Sequence, residues 1–295
     1  MNLKPRQYTW LDTIGIPFAC SGASAASYAV ILLLKRLAPA LQAFAIAAFI
    51  DRALAMLEGS SWRMLALPMT LLGLLVAYGH VSGVLSNLTK QYIGSRLKCI
   101  FAPAIMAKCE SLPFSCIEDS ETSDLLKRVG RKPDETMLKG FLTVIELMGI
   151  GLQASAFLAI LAKISWLAAI SILAISIPVA VIGMIGSKPK VPDHWSRKFK
   201  IAKGFQRKVP AKWILRLKAT SSSISVAAYL AAGALLIPLS KGEMSSGLYI
   251  SIVLMSASLV DALSWELSDR INDFSNQIEY IKDLDKLANM EEATQ

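Results

Sequence analysis

The sequence predicts an all-α, polytopic membrane protein, and three observations carry that prediction. Its 295 residues are 54% hydrophobic, with a mean hydropathy of +0.48. Charged residues make up 18% of the chain, against about 25% in an ordinary soluble domain. Several apolar runs reach the roughly eighteen residues at which a helix crosses the hydrocarbon core of a bilayer. Length alone would suggest one or two soluble domains, but the hydropathy overrides it.

The first apolar stretch runs from about Ile16 to Ile50 and is interrupted by Lys35-Arg36. At about 1.5 Å per residue, one helix of that length exceeds a bilayer, so an end should project or tilt. A single helix is preferred to two because one short loop, Asp51 to Trp62, then leads straight to the next span. Span two covers about 64–85 and continues as an amphipathic stretch through Ile105. Spans three, four and five are placed near 141–162, 166–186 and 221–239. Span six, about 245–265, is apolar to Val260 and then turns amphipathic. Beyond it, Ile271, Phe274, Ile278, Ile281, Leu284 and Leu287 recur at three-and-four spacing with acidic residues between them, the mark of a one-sided helix. Two readings fit that helix: one packed on its own bundle, or a rod that delivers movement into the cytosol. Gly73, Gly79 and Gly83 in span two, and the serine-rich "ATSSSIS" at 219–225, read as small residues that permit close helix packing.

The net charge of +9 and pI near 9.4 raise the question of nucleic acid, and the placement of the charges argues against it. With both termini inside, the four inner segments hold two, nine, eleven and three Lys/Arg, 25 of the 31 in the chain. The outer turns hold Arg52, Arg63, Lys163 and Lys241. Basic residues stay on the cytoplasmic side of a membrane, so this asymmetry sets the orientation. The basic segment at 188–218 then meets anionic headgroups rather than nucleic acid. Cys20, Cys99, Cys109 and Cys116 show no CxxC spacing and read as reduced structural thiols. The N-terminus lacks the short apolar core and small-residue cleavage site of a signal peptide, and is read as mature sequence.

Between spans two and three lies the polar stretch "CIEDSETSDLLKRV", residues 116–129. Asp119 or Ser120 is suited to cap a helix, Glu121 and Asp124 fall in its first turns, and Lys127 and Arg128 in its last. That order matches the helix dipole, and Asp124 is spaced to pair with Lys127 or Arg128. Two readings again fit: a solvated cap on a hairpin, or a contact surface for a partner.

Taken together, the layout resembles the transmembrane domain of six-helix ABC exporters. "QYTWLDTIGIP" resembles the amphipathic elbow before the family's first span, and "LAPALQAFAIAAFIDRAL" the outer half of that span. "ESLPFSCIEDSETSDLLKRV" is similar to the region that forms the first coupling helix, "WSRKFKIAKGFQRKV" to the approach to span five, and "LSKGEMSSGLYISIVLM" to the turn into span six. The resemblance covers most of the chain and rests on a distributed pattern. It implies a domain over residues 1–290, with an ATP-binding domain expected to start near 291–295. It also implies a bacterial plasma-membrane protein with cytoplasmic termini that pairs with a second transmembrane domain as a homo- or heterodimer. Ser120, Glu121, Thr122, Ser123, Asp124, Leu125 and Leu126 would be its contact with an ATPase. ATP and Mg would sit on a fused or partner domain.

Two departures qualify this. There is no G-x-x-x-x-G-K-[ST] and no LSGGQ-like segment, so the chain has no phosphate-cradling loop of its own and is not expected to be an enzyme by itself. The inner segment between spans four and five also carries Pro189, Pro192 and Pro210, which disfavour the long helices and second coupling helix of the family. That shortening keeps open a non-transporting scaffold or degenerate remnant, and, after it, a secondary transporter. His80 and His194, the two histidines, lack metal-ligand spacing, and no protease arrangement is visible. Ionisable residues within spans are costly and often functional, which makes His80, Glu146, Asp261 and Glu266 candidates to line a pathway. The alternatives are a helix-helix hydrogen bond for His80 and simple hydration for Glu146. Lys35-Arg36 can face a wet cavity, bind headgroups or snorkel.

Overall fold

The computed structural model describes residues 6–57, 59, 61–113, 118–164, 166, 170 and 245–290. Expected spans four and five lie outside these residues, apart from Trp166 and Ile170, as do Cys116, His194, the three loop prolines and the serine-rich segment.

All regular structure among the described residues is helical. Helix α1 spans Asp12–Leu57, α2 Arg63–Glu110, α3 Ser120–Gly130 and α4 Pro133–Ile164. Helix α5, Ser246–Asp261, runs through a π turn, Ala262–Glu266, into α6, Leu267–Ala288. Three of these, α1, α2 and α4, are long and apolar enough to cross a membrane, and α5 is a shorter apolar helix. The expectation that the last span continues as a long amphipathic helix matches the unbroken run from Ser246 to Ala288.

The first expected span is one helix with a break near its start. Ser21 has non-helical φ −155° and ψ 60°. Pro17, one turn earlier, disturbs the backbone ladder, and the Ser21 hydroxyl donates to the Pro17 carbonyl at 3.2 Å. Residues 12–20 are thereby set off from 22–57. After α3 ends at Gly130, the left-handed position is taken not by a glycine but by Lys132, with a φ of 57°, and Pro133 then fills the first position of α4, where its missing N–H costs nothing.

The described residues fall into two compact units. The first contains 6–35, 80–149 and 273–290. Its core is built from stripes one turn apart: Ile93, Leu97, Phe101 and Ile105 on α2, Met137, Phe141 and Ile145 on α4, and Ile281, Leu284 and Leu287 on α6. Phe18 meets Phe141 edge-on at 6.0 Å, and Tyr28 lies 6.1 Å from the same ring. The amphipathic face of α6 thus packs on its own unit, while Ile271, Phe274 and Ile278 are only half-buried. The chain before α1 is tied to this helix, because the Tyr8 N–H donates to Asp285 at 2.7 Å.

The second unit contains 36–79, 150–164 and 245–272, with a smaller core of Ala43, Phe157, Leu161, Ile252, Met255 and Leu259. Gln153 donates to the Ser258 hydroxyl at 3.3 Å, joining α4 to α5. Asp51, near the end of α1, receives the Ser245 hydroxyl at 2.6 Å and the Gly247 N–H at 2.8 Å. Its carboxylate therefore sits on the N-terminus of α5, where the helix dipole favours negative charge. The approach is close enough to require glycine: a methyl on Gly247 would meet the Ala47 carbonyl oxygen and the Asp51 carboxylate. Gly73, Gly79 and Gly83 behave otherwise. Among the described residues, a methyl on any of them would meet nothing within 4 Å.

Gly247→Ala should cost about 1–3 kcal/mol through this clash and lower the melting temperature in detergent. Gly140→Ala should cost less, because the nearest atoms its methyl would meet belong to the Gln277 side chain rather than to the backbone. Equal melting of the two variants would contradict the clash.

Candidate functional site: an anchored polar helix and the charges of the apolar helices

Helix α3 is built as the sequence suggests. Asp119 caps it, accepting the Thr122 N–H at 3.0 Å and the Thr122 hydroxyl at 2.9 Å. Its inner side buries Leu125 and Val129 in the core of the first unit. Of the two basic residues in its last turn, Lys127 lies 4.0 Å from Asp124 on the surface, a pair worth little. Arg128 instead crosses to α6: its Nε and Nη2 donate to the two Asp283 oxygens at 2.7 and 3.1 Å. This bidentate geometry is the strong form of an ion pair.

The segment Ser120 to Leu126 is therefore divided between anchoring and exposure. Leu125 is buried and Leu126 packs against the same core. Ser120 and Glu121 are exposed, while Thr122, Ser123 and Asp124 are half-buried. The result is a short helix fixed from behind by two apolar side chains and an arginine, with an acidic N-terminal end facing outward. Such a surface can receive a complementary groove without rearranging its own core.

The pathway candidates are divided between the units. His80, exposed on α2, and Glu146, half-buried on α4, belong to the first. Asp261, exposed at the end of α5, and Glu266, closing the π turn, belong to the second.

Glu266 has the best-defined role. It accepts both ends of the Arg36 guanidinium, with Arg36 Nη1 at 2.7 Å from Oε2 and Nη2 on Oε1. Both side chains are largely removed from solvent, at 18% and 32% exposure. Lys35, its sequence neighbour, is exposed. Adjacent basic residues thus have different fates: Arg36 is neutralised within its unit, and Lys35 projects outward. The π turn ends on Glu266, and single π turns within α-helices are frequent at functional sites.

Sequence reasoning missed Asp51, Asp283 and the partner of Arg36. Each is an acidic residue whose role appears only when distant segments meet. It also missed Tyr280 on α6, whose buried hydroxyl has no hydrogen-bond partner among the described residues. Burial, and then the nearby Asp134 charge, push its pKa well above the usual tyrosine range. Among the described residues no group of three or more His, Cys, Asp or Glu is arranged to hold a metal, and Cys20, Cys99 and Cys109 are free thiols. No family model and no curated protein matches the sequence.

Arg36→Gln or Glu266→Gln should each destabilise the protein by about 1.5–3 kcal/mol, because one charge is left facing an uncharged neighbour. Exchanging the two residues should restore most of the loss. A double exchange that melts no higher than the single variants would show that the ion pair is not what holds these helices.

Proposed function

We propose that the chain is the permease part of an ATP-driven ABC-type exporter in the plasma membrane, with both termini in the cytoplasm. The observation that carries this reading is α3, a polar helix anchored on a core shared with α6 and exposed at its acidic end. It stands between two helices, α2 and α4, each apolar enough over part of its length to cross a bilayer. A solvated cap would need neither the buried pair Leu125 and Val129 nor the bidentate arginine.

On this reading, ATP and Mg belong to a separate or fused nucleotide-binding domain that seats Ser120 to Leu126. A second transmembrane domain completes the pathway, and substrate crosses by alternating access. Movement of the ATPase presses on α3, and the Arg128–Asp283 pair passes it to α6. From there it runs along one continuous helix through the π turn to Glu266 and α5. Arg36 and Glu266 would be the first charges within the apolar helices to feel it. The proline-broken segment at 187–211 favours the rival reading, a scaffold that assembles without coupling.

Protein purified in mild detergent from its native membrane should carry vanadate-sensitive ATPase activity. Reversing the charges with Glu121→Lys and Asp124→Lys should leave its assembly with the ATPase weaker and cut the activity about ten-fold, the factor for roughly 1.4 kcal/mol. Arg128→Gln should also reduce it, by loosening α3 from α6. Absence of ATPase activity from a preparation that keeps its native partners would favour the scaffold.

A further inference from the structure

Within the first unit, α1 and α2 leave a side-open groove of about 770 Å³ between them. Helix α1 lines it with small side chains, among them Ala23, Ala26 and Ser27, and α2 with Leu85, Leu88 and Tyr92. Two of its hydroxyls are turned to their own helices. Ser27 donates to the Ala23 carbonyl at 2.8 Å and Thr89 to the Leu85 carbonyl at 2.7 Å. The surface left for an occupant is therefore mostly apolar.

One turn beyond the groove, the chemistry changes. Arg96 donates from Nε and Nη2 to the Tyr92 hydroxyl at 3.1 and 2.9 Å, and its guanidinium carbon lies 5.4 Å from the centre of the Tyr92 ring. A guanidinium has five N–H donors in a planar fork. Tyr92 orients the fork using two of them and leaves an exposed arginine with its remaining donors in reach of an anion. Lys90 and Lys98, also exposed, reinforce the positive charge.

Position along α2 identifies the occupant. Large apolar side chains are exposed along this helix from Met64 to Leu88, and charge begins at Lys90. Tyr92 and Arg96 follow at that boundary, where aromatic and basic side chains meet lipid headgroups. We infer that the groove binds an anionic phospholipid, one acyl chain lying between α1 and α2 and the phosphate on Arg96. The site depends on the membrane setting and not on the transport reading, so it stands if the chain proves to be a scaffold.

The test is native mass spectrometry of the full chain in detergent, with phosphatidylglycerol and phosphatidylcholine of matched acyl chains. The wild-type protein should retain phosphatidylglycerol about five-fold better, the effect expected of one basic residue at a headgroup. Arg96→Gln should abolish that preference while keeping the weaker retention of both lipids. Ala26→Trp, at an exposed position, should fill the groove and remove retention of both. If it melts lower than the wild type, the Arg96→Gln comparison decides alone. Equal retention of the two headgroups by the wild type, or an unchanged preference in Arg96→Gln, would overturn the assignment.

Discussion

Helices surrounded by lipid gain little from burying apolar surface against each other, so their register has to come from close packing and from polar contacts that lipid cannot supply. In the second unit those contacts join α1 to the last helical run at two places. Asp51 receives the start of α5 at Ser245 and Gly247, and Arg36 grips Glu266 at the end of the π turn. Because Asp51 meets the beginning of that run and Arg36 its later part, the two helices are held antiparallel. The bare approach of Gly247 to the Ala47 carbonyl makes the first contact intolerant of any side chain. The second removes a charge pair that would otherwise have to be solvated within an apolar region.

The first unit is held together by different physics. Its core is a conventional interdigitation of Phe, Ile and Leu from five helices, and polar contacts fasten pieces onto it. Tyr8 is tied to Asp285, α3 to Asp283, and Lys139 to Asp273 at 2.6 Å. All three carboxylates lie on α6. This helix is therefore both a core element and the point to which the peripheral segments are attached, which makes it the natural route for any force applied at α3.

Much of this was readable from local pattern. The apolar runs marked the long helices by their length, even though Pro17 and Pro39 lie within α1 and Pro68 and Pro103 within α2, and three-and-four spacing placed the buried face of α6. The cap at Asp119 and the charge order of α3 follow from side-chain chemistry acting within a few residues. What could not be read were the contacts between remote segments. Nothing near Arg36 announces Glu266, which lies 230 residues away, and nothing near Arg128 announces Asp283. The glycines show the same limit. Gly247, which no motif marks, is required by the Ala47 carbonyl opposite it, whereas among the described residues nothing stands within 4 Å of a methyl on Gly73, Gly79 or Gly83. A small residue becomes necessary only when something stands opposite it, and that depends on the fold.

The proposed coupling depends above all on the outward face of α3 being a seat for an ATPase. The most direct measurement places a photo-crosslinking amino acid at Glu121 in the full chain, irradiates native membranes and identifies the adduct by mass spectrometry. The account predicts a protein bearing the phosphate-cradling G-x-x-x-x-G-K-[ST] loop, joined to position 121 and not to an exposed control at Lys139. Adducts confined to residues 1–295, or to a protein without a nucleotide-binding motif, would contradict it.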